Sequence, residues 1–358
     1  MPVSDIVIAE DESPMTGPRK RPTQFDVARV AGVSQAVVSY VFNDVKTVTI
    51  LPETRERVKA AIVELGYVPN TAARSLRSRK TFTIAAVIPD ITNPWYPEFV
   101  RGIQDVARAR SYDVLVANTD GDPRIERTAL DAVRRNRADG LIITPFFLDL
   151  EDVLPLLEEG TPVTFLHELG PVDEAYTSLP IDSVSVKGED AAREVVTYLI
   201  ERGHTRIGMI AGREATPPRE SRVRGYQRAL AEHRLMPEEV LIRGGDFTEI
   251  GGYEAMQELL RLTPRPTAVF AANDLMAMGA LVACHDANVR VPDDIALAGF
   301  DNIPAARLVH PPLTTLDQHA REAGQHTAEV LLSRLDGSYT GPIRRETVGF
   351  HLVRRASA

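Results

Sequence analysis

The chain has 358 residues, of which 44% are hydrophobic and 25% are charged, with a formal net charge of −9 and one cysteine. This length predicts two or three globular domains, and a single cysteine excludes a disulfide framework and is typical of a reducing compartment. No stretch is apolar enough to span a membrane, and residues 1–18 lack the basic start of a secretory signal, so we expect a soluble, cytoplasmic protein.

Charge is distributed unevenly along the chain. Residues 1–18 carry four acidic side chains and no Lys or Arg, which predicts a disordered acidic tail over residues 1–20. Residues 19–80 carry 12 Lys and Arg against 5 Asp and Glu, whereas the rest of the chain is acidic. A basic segment ahead of an acidic body indicates a polyanion-binding head, although a solvated basic linker would carry the same charge.

The basic segment has the signals of a helix-turn-helix. Thr23 and Asp26 are spaced as in a capping box at the start of a helix, and Gly32 suits a helix end with positive φ. Ser34 is a good N-cap for a second helix over residues 34–43, and a third helix is expected over residues 52–65. Such a unit places the start of its second helix in the major groove, so we predict a DNA-binding domain over residues 21–68.

Several motifs lie in and after this head: Val27-Ala-Arg-Val-Ala-Gly-Val-Ser34, Thr54-Arg-Glu-Arg-Val58, Glu64-Leu-Gly-Tyr67 and Pro69-Asn70. Together they resemble the lactose/galactose repressor family of transcriptional regulators, and the resemblance extends over roughly residues 22–355. It implies a ligand-responsive, sequence-specific DNA-binding regulator, expected to be a repressor, acting on a pseudo-palindromic operator.

The resemblance places DNA contacts on the second helix and on a hinge over residues 69–80. It implies that the hinge orders in the minor groove with Leu76 as a wedge between base pairs, although a helix this short would be a flexible linker on its own. Tyr40 stands where the family usually has Arg, so the base preference there is expected to differ. The predicted DNA-binding residues are Thr23, Ser34, Gln35, Ala36, Ser39, Tyr40, Asn43, Asn70, Arg74, Leu76 and Arg77.

From residue 81 onward, short apolar runs alternate with amphipathic helices. Strands separated by helices predict an α/β body of parallel sheets flanked by helices, and its length suits two lobes. The resemblance implies a periplasmic-binding-protein-like effector-binding and dimerisation domain over residues 81–358. Lobe 1 is expected over about 81–181 and 311–340, and lobe 2 over about 182–310 and 341–358. The predicted strands are 83–89, 113–117, 140–144, 162–167, 206–211, 267–271 and 295–300.

Polar and aromatic residues follow the predicted strands, where open α/β sheets bind their ligands. The resemblance also assigns effector positions to the segments around Arg222, Phe247, Asn273-Asp274 and Asp301. His167 stands where sugar-binding members often carry Asp, so both a sugar and a nucleoside-like metabolite remain open as the effector. The predicted effector-binding residues are Asp90, Asn93, Trp95, Tyr96, His167, Arg222, Phe247, Asn273 and Asp301.

Structural roles are the alternative for several of these residues. Asp90 and Asp301 could be turn residues, Trp95 could pack against a neighbouring helix, and Asp274 could begin a helix.

Two other classes of protein fit part of the sequence. An extracytoplasmic transport protein would have the body. It would also begin with a secretory signal and would lack this basic head. An enzyme would need a nucleophile, nucleotide or metal motif, and none is found. We therefore predict no catalytic residues, no cofactor and no metal. The expected partners are double-stranded DNA, a small-molecule effector and a second copy of the chain; with no heptad tail, we expect a homodimer.

Overall fold

The computed structural model describes residues 22–42, 48–67, 80–136, 138–170, 172–173 and 176–358. The chain divides into two compact units, one up to residue 79 and one from Lys80 to Ala358. The predicted acidic tail and almost all of the predicted hinge lie outside the described residues. Within the described ranges, no helix is long and apolar enough to cross a membrane.

The first unit is the predicted three-helix head, with α1 Gln24–Ala31, α2 Gln35–Phe42 and α3 Pro52–Leu65. The capping box at the start of α1 is present, because Thr23 Oγ1 accepts from the Asp26 amide and the Asp26 carboxylate accepts from the Thr23 amide. Gly32 ends α1 with φ 64°, as its position after the helix predicts. α3 has no side-chain cap at its start, because Leu51 at the N-cap position supplies no side-chain hydrogen bond.

A small apolar core joins the three helices of the head. Val27, Val38 and Val58, one from each helix, are fully buried. Burying a branched aliphatic side chain contributes about 1.5–3 kcal/mol, so these contacts carry much of the stability of a unit this small.

The second unit is the two-lobed α/β body. Its strands are β1 Thr83–Ile88, β2 Asp113–Asn118, β3 Gly140–Ile143, β4 Val163–Leu166, β5 Ile181–Ser185, β6 Ile207–Ala211, β7 Ile242–Gly244, β8 Ala268–Ala271, β9 Ala296–Asp301, β10 Thr314–Asp317, β11 Arg345–Thr347 and β12 His351–Val353. Its helices are α4 Trp95–Ala109, α5 Pro123–Asn136, α6 Leu150–Glu158, α7 Gly188–Glu201, α8 Pro217–Glu232, α9 Glu249–Leu260, α10 Asp274–Asp286 and α11 Ala320–Leu335.

Each lobe is built around one six-stranded sheet. The sheet of lobe 1 has the order β11-β5-β4-β3-β1-β2, and the sheet of lobe 2 has the matching order β12-β10-β9-β8-β6-β7. Neighbouring strands are parallel except β10 and β12, which are antiparallel. Central strands such as β1 and β8 are almost wholly apolar and buried, as expected for parallel sheets covered by helices on both faces.

Five strands were not predicted from the sequence: β5, β7, β10, β11 and β12. Three of them are only three residues long. β5 and β10 contain buried polar side chains that break the apolar pattern: Asp182 and Ser183 in one, Thr314 and Thr315 in the other. Several of these residues form hydrogen bonds with distant parts of the body. Thr314, for example, bonds to Arg355 and Ser357.

The chain crosses between the lobes three times, each time later than the sequence predicted. β5 still pairs in the lobe 1 sheet, β10 pairs in the lobe 2 sheet, and α11 then packs on α4 of lobe 1. In each case one further strand, β5, β10 or β11, is completed before the chain crosses. The crossings lie at residues 186–187, 318–319 and 348–350, not near residues 182, 311–312 and 341.

A buried ionic cluster ties together segments of lobe 1 that are far apart in the sequence. The Asp182 carboxylate is fully buried and accepts from Arg334 Nε at 2.6 Å and from Arg344 Nη2 at 2.7 Å. It also accepts from the Arg344 amide at 2.8 Å. The cluster therefore joins β5 to the end of α11 and to the segment entering β11.

Candidate functional site

A cavity of about 570 Å³ lies between the two lobes of the body. This is a common size for a small-molecule site. Much of its wall follows the carboxyl ends of strands from both sheets, as the sequence analysis expected. All nine residues predicted to contact an effector are in the lining: Asp90, Asn93, Trp95, Tyr96, His167, Arg222, Phe247, Asn273 and Asp301.

Arg222 on α8 places a buried guanidinium in the wall of lobe 2. Its Nη1 donates to the carbonyl oxygen of Ala272 at 2.5 Å, and its guanidinium carbon lies 4.1 Å from the centre of the Phe300 ring. Burial lowers the pKa of Arg222, and the nearby Asp301 carboxyl acts against that shift. The side chain is thus fixed by the protein while most of its five donors remain for other partners.

Asp301, the last residue of β9, is a buried carboxyl beside Arg222. Its φ is 122°, a conformation that favours glycine, and such strain in other residues is typical of functional sites. Gln318 Nε2 donates to Asp301 Oδ1 at 2.5 Å. Burial raises the pKa of Asp301 to about 8, against the influence of Arg222. Near neutral pH this carboxyl can therefore donate as well as accept hydrogen bonds.

Trp95 and Tyr96 form an aromatic wall on lobe 1. They begin α4 and meet edge to face, with ring centres 5.2 Å apart. Trp95 also stacks on Phe99 at 5.4 Å, so the packing role considered for Trp95 and its place in the lining are both present. Burial raises the pKa of Tyr96 well above its usual range, so its phenol is neutral.

Two contacts connect the lobes beside the cavity. The Phe247 ring of lobe 2 lies 5.8 Å from the Phe146 ring of lobe 1, and Arg213 Nη1 donates to the Gly121 carbonyl oxygen at 2.9 Å. Gly212 permits the position of Phe247, because a Cβ atom at residue 212 would lie 1.9 Å from that ring. The structure thus brings the lobes together over a cavity that both of them line.

Three of the predicted polar residues form side-chain hydrogen bonds within the wall of the cavity. Asp90 accepts from the amide and hydroxyl of Thr92, as its alternative role as a turn residue predicts, and Asn93 accepts from the first amide of α4. Asn273 caps α10 and donates to the Phe247 carbonyl oxygen at 2.9 Å. These residues line the cavity, but hydrogen bonds within the protein already occupy part of their capacity.

Four lining residues carry a buried polar atom that has no hydrogen-bond partner among the described residues. The atoms are Trp95 Nε1, Thr144 Oγ1, His167 Nδ1 and Arg222 Nε. Burial lowers the pKa of His167 to about 4, so its imidazole is neutral at pH 7. Buried polar groups are usually satisfied, so four unpaired ones in a single lining indicate a polar occupant.

The sequence analysis also missed lining residues, and one residue of the segment Asn273-Asp274, which the resemblance assigned to the effector, lies outside the lining. Thr144, Phe146, Arg213 and Gln318 line the cavity; the first three follow strands, where the rule used for Asp90 would have found them. Gln318 lies in a crossing segment with no sequence motif. Asp274 is outside the lining, because its carboxylate accepts from the Ile303 amide and the Thr315 hydroxyl.

The head presents an exposed surface at the start of α2. Ser34, Gln35, Ala36 and Tyr40 are exposed, as a surface that reads DNA requires. Ser39 is half-buried, and the Thr23 hydroxyl takes part in the capping box. The other predicted DNA-binding residues lie outside the described residues: Asn43, Asn70, Arg74, Leu76 and Arg77.

Comparisons with known protein families match both units. A family described as bacterial regulatory proteins, lacI family, matches residues 24–70. A periplasmic binding protein-like domain matches residues 196–358.

Individual relatives match over nearly the whole chain. The HTH-type transcriptional repressor CytR of Escherichia coli (strain K12) is 35% identical over 319 residues, covering 89% of this chain and 91% of that protein. The structure of the transcriptional regulator CelR in complex with cellobiose is 33% identical, with a TM-score of 0.70 and coverage of 94% and 100% of the two chains. The lac repressor dimer bound to operator and the anti-inducer ONPF is 29% identical, with a TM-score of 0.82 and coverage of 94% and 99%.

Proposed function

Because this chain belongs to the lacI family of bacterial regulatory proteins, we propose that it is a transcriptional repressor controlled by a small polar metabolite. The metabolite, a sugar or a compound with a sugar-like set of hydroxyls, binds in the cavity between the lobes. The observation that carries this proposal is the lining itself, with its aromatic rings, buried charges and unpaired donors, in a chain that also has a helix-turn-helix head.

The chemistry of the lining favours a polyhydroxylated ligand. Arg222 can donate to a hydroxyl oxygen, Asp301 can accept from a hydroxyl, and Trp95 offers an aromatic face for the apolar side of a ring. A fatty acid would leave these buried polar groups unpaired, at a cost of about 1–3 kcal/mol for each group. CelR, one of the related structures, is a complex with cellobiose, which supports a sugar. A nucleoside remains the alternative, because its base would also stack on the aromatic wall.

Effector and DNA are coupled in this proposal through the arrangement of the lobes. A ligand that contacts both lobes favours one arrangement, and a change of arrangement alters the spacing of the hinges over residues 69–80 in a dimer. The accompanying domain assignment is a tail over 1–20, a head over 21–68, a hinge over 69–80 and a body over 81–358. One helix-turn-helix per chain suits a homodimer on a two-fold symmetric operator, and the related lac repressor structure is a dimer on its operator.

The proposal also makes the chain a binding protein and not an enzyme. The three relatives named above are transcriptional regulators. The buried charges of the cavity are explained by hydrogen bonding to a ligand, and no chemical step is needed to account for them.

The proposal can be tested with two readouts on the full chain. Binding sites are selected from genomic fragments, and affinity for the best fragment is measured by fluorescence anisotropy with and without a panel of cellobiose, glucose, D-ribose and cytidine. Trp95 is the only tryptophan of the chain, so a change in tryptophan emission reports occupancy of the cavity. We expect one compound to change both the emission and the DNA affinity. If the protein shows no preference among DNA sequences, the proposed repressor function is contradicted. If a compound binds in the cavity but leaves the DNA affinity unchanged, the proposed coupling is contradicted.

Tyr40 should help to select bases. Tyr40→Arg replaces one phenol hydroxyl with a guanidinium that can contact guanine O6 and N7 together, which is worth about 1–3 kcal/mol of discrimination. We expect sites selected by the variant to gain guanine at one position in each half-site. Val63→Arg is the matched control, because it adds the same charge at an exposed position on α3. If both variants and the parent protein select the same motif, Tyr40 does not read bases.

A further inference from the structure

Asp317, His319 and His351 form a cluster of potential metal ligands on lobe 2, outside the lining of the cavity. One ligand atom from each residue can be chosen so that all three lie within 4.8 Å of one another. His319 Nε2 and His351 Nδ1 are the closest pair, at 3.1 Å. Asp317 and His319 are partly buried and His351 is exposed, so the cluster opens to solvent on one side.

The fold holds these three residues together through paired strands. Asp317 is the last residue of β10, and in the sheet it is the register partner of His351 at the start of β12. His319, two residues after Asp317, is the N-cap of α11, and its backbone amide donates to Asp317 Oδ1 at 2.7 Å. The cluster therefore spans the second and third crossings between the lobes.

The distances fit a shared cation. Two ligand nitrogens on a tetrahedral Zn²⁺ with bonds of about 2.0–2.1 Å lie about 3.3 Å apart, close to the separation of the two histidine nitrogens. The chosen Asp317 oxygen lies within 4.8 Å of both chosen histidine nitrogens, and solvent can supply a fourth ligand.

We propose that Asp317, His319 and His351 bind a divalent transition-metal ion, with Zn²⁺ as the best match. Nitrogen and carboxylate ligands are those that zinc prefers, with one position left open. Asn302 Nδ2 donates to Asp317 Oδ2 at 2.8 Å and orients the carboxylate, as outer hydrogen bonds do at metal sites. Arg355 donates to Asn302 and adds positive charge nearby, so the Asp317 carboxylate is needed to offset that charge.

The position of the ion has a consequence for the body. It would link β10 to β12 and to the start of α11, and so restrain two of the three crossings at once. Gln318, between the two ligands Asp317 and His319, donates to Asp301 in the cavity. Metal binding would thus fix the residue that positions a buried carboxyl of the cavity wall, although the metal site itself does not depend on the proposed function.

The test is a metal titration of the full chain, prepared without a histidine tag and treated with a chelator. Titration with Co²⁺ should give one ion per chain and the strong visible absorption of tetrahedral Co²⁺, and Zn²⁺ should displace it. Zn²⁺ should also raise the Tm, because a ligand that binds only the native state stabilises it. His351→Ala and His319→Ala should each weaken Co²⁺ binding by at least about 100-fold, since even an outer-shell partner costs about 10–100-fold.

His285→Ala is the matched control, because His285 is exposed on α10 outside the cluster, and it should bind Co²⁺ like the parent. Circular dichroism checks that each variant is folded, and His351→Gln replaces His351→Ala if that variant is not. Absence of saturable binding by the parent protein, or an unchanged Co²⁺ spectrum in a folded His351 variant, would overturn the proposal.

Discussion

Arg222→Ala should abolish the effect of the effector on DNA binding while leaving DNA affinity without effector almost unchanged. Coupling between two sites of this kind is typically about 1–3 kcal/mol, or about 5–150-fold in affinity. In the variant the ratio of DNA affinities with and without effector should fall to near one. The reason is that Arg222 is the buried cation of the lining, fixed on Phe300 and on the Ala272 carbonyl, so its loss would remove the guanidinium that the proposal places against the ligand. Fluorescence anisotropy with the sugar that acts on the parent protein measures this ratio.

Arg224→Ala provides the matched control for this prediction. Arg224 also lines the cavity and lies on the same helix, but it is largely exposed and paired with Glu189. Its loss should leave most of the response intact. If Arg222→Ala instead weakens DNA binding and preserves the ligand response, the effector does not bind beside this guanidinium.

Asp182→Ala should destabilise the body by about 3–5 kcal/mol, the usual cost of removing one partner from a buried ion pair. The substitution leaves the guanidinium groups of Arg334 and Arg344 without their shared carboxylate in an interior where Asp182 is wholly buried. It also removes the acceptor for the Arg344 amide. Urea unfolding followed by Trp95 emission measures the loss, because the only tryptophan of the chain lies in the body.

Two further variants separate charge from general damage. Asp182→Asn keeps the shape and some acceptors but removes the charge, so its stability should fall between those of the parent and the alanine variant. Asp105→Ala removes a half-buried carboxylate that pairs with the exposed Arg321, and should change the urea midpoint little because solvent screens such pairs. An equal loss of stability in Asp182→Ala and Asp105→Ala would show that burial does not increase the contribution of the Asp182 cluster to stability.

Features fixed by local chemistry could be predicted from the sequence. The Thr23–Asp26 capping box and the positive φ of Gly32 depend on neighbours within a few residues, and both are present. Several cavity residues, such as Asp90 and His167, were found by a topological rule, since the ends of parallel strands meet at one edge of a sheet. The family resemblance supplied others, such as Arg222 and Phe247. The family resemblance, which rested on short motifs, is confirmed by relatives that match over nine-tenths of the chain.

Features that depend on distant partners could not be predicted in this way. β5 contains Asp182, and a carboxylate in a buried strand is expected only once Arg334 and Arg344, some 150 residues later, are known to reach it. The contact of His319 with His351 likewise follows from the pairing of β10 with β12. Packing gives the neighbours Asn273 and Asp274 different positions. Asn273 lines the cavity, whereas Asp274 is buried outside the lining and accepts from Thr315.

Because the chain crosses between the lobes three times, neither lobe is encoded by one continuous stretch of the gene. Lobe 1 is assembled from residues 80–185 and 320–347, and lobe 2 from residues 188–317 and 351–358. No single segment of coding sequence can therefore supply a whole lobe for duplication or exchange with another protein. A deletion confined to residues 342–358 would remove β11 from one sheet and β12 from the other, and so damage both lobes together.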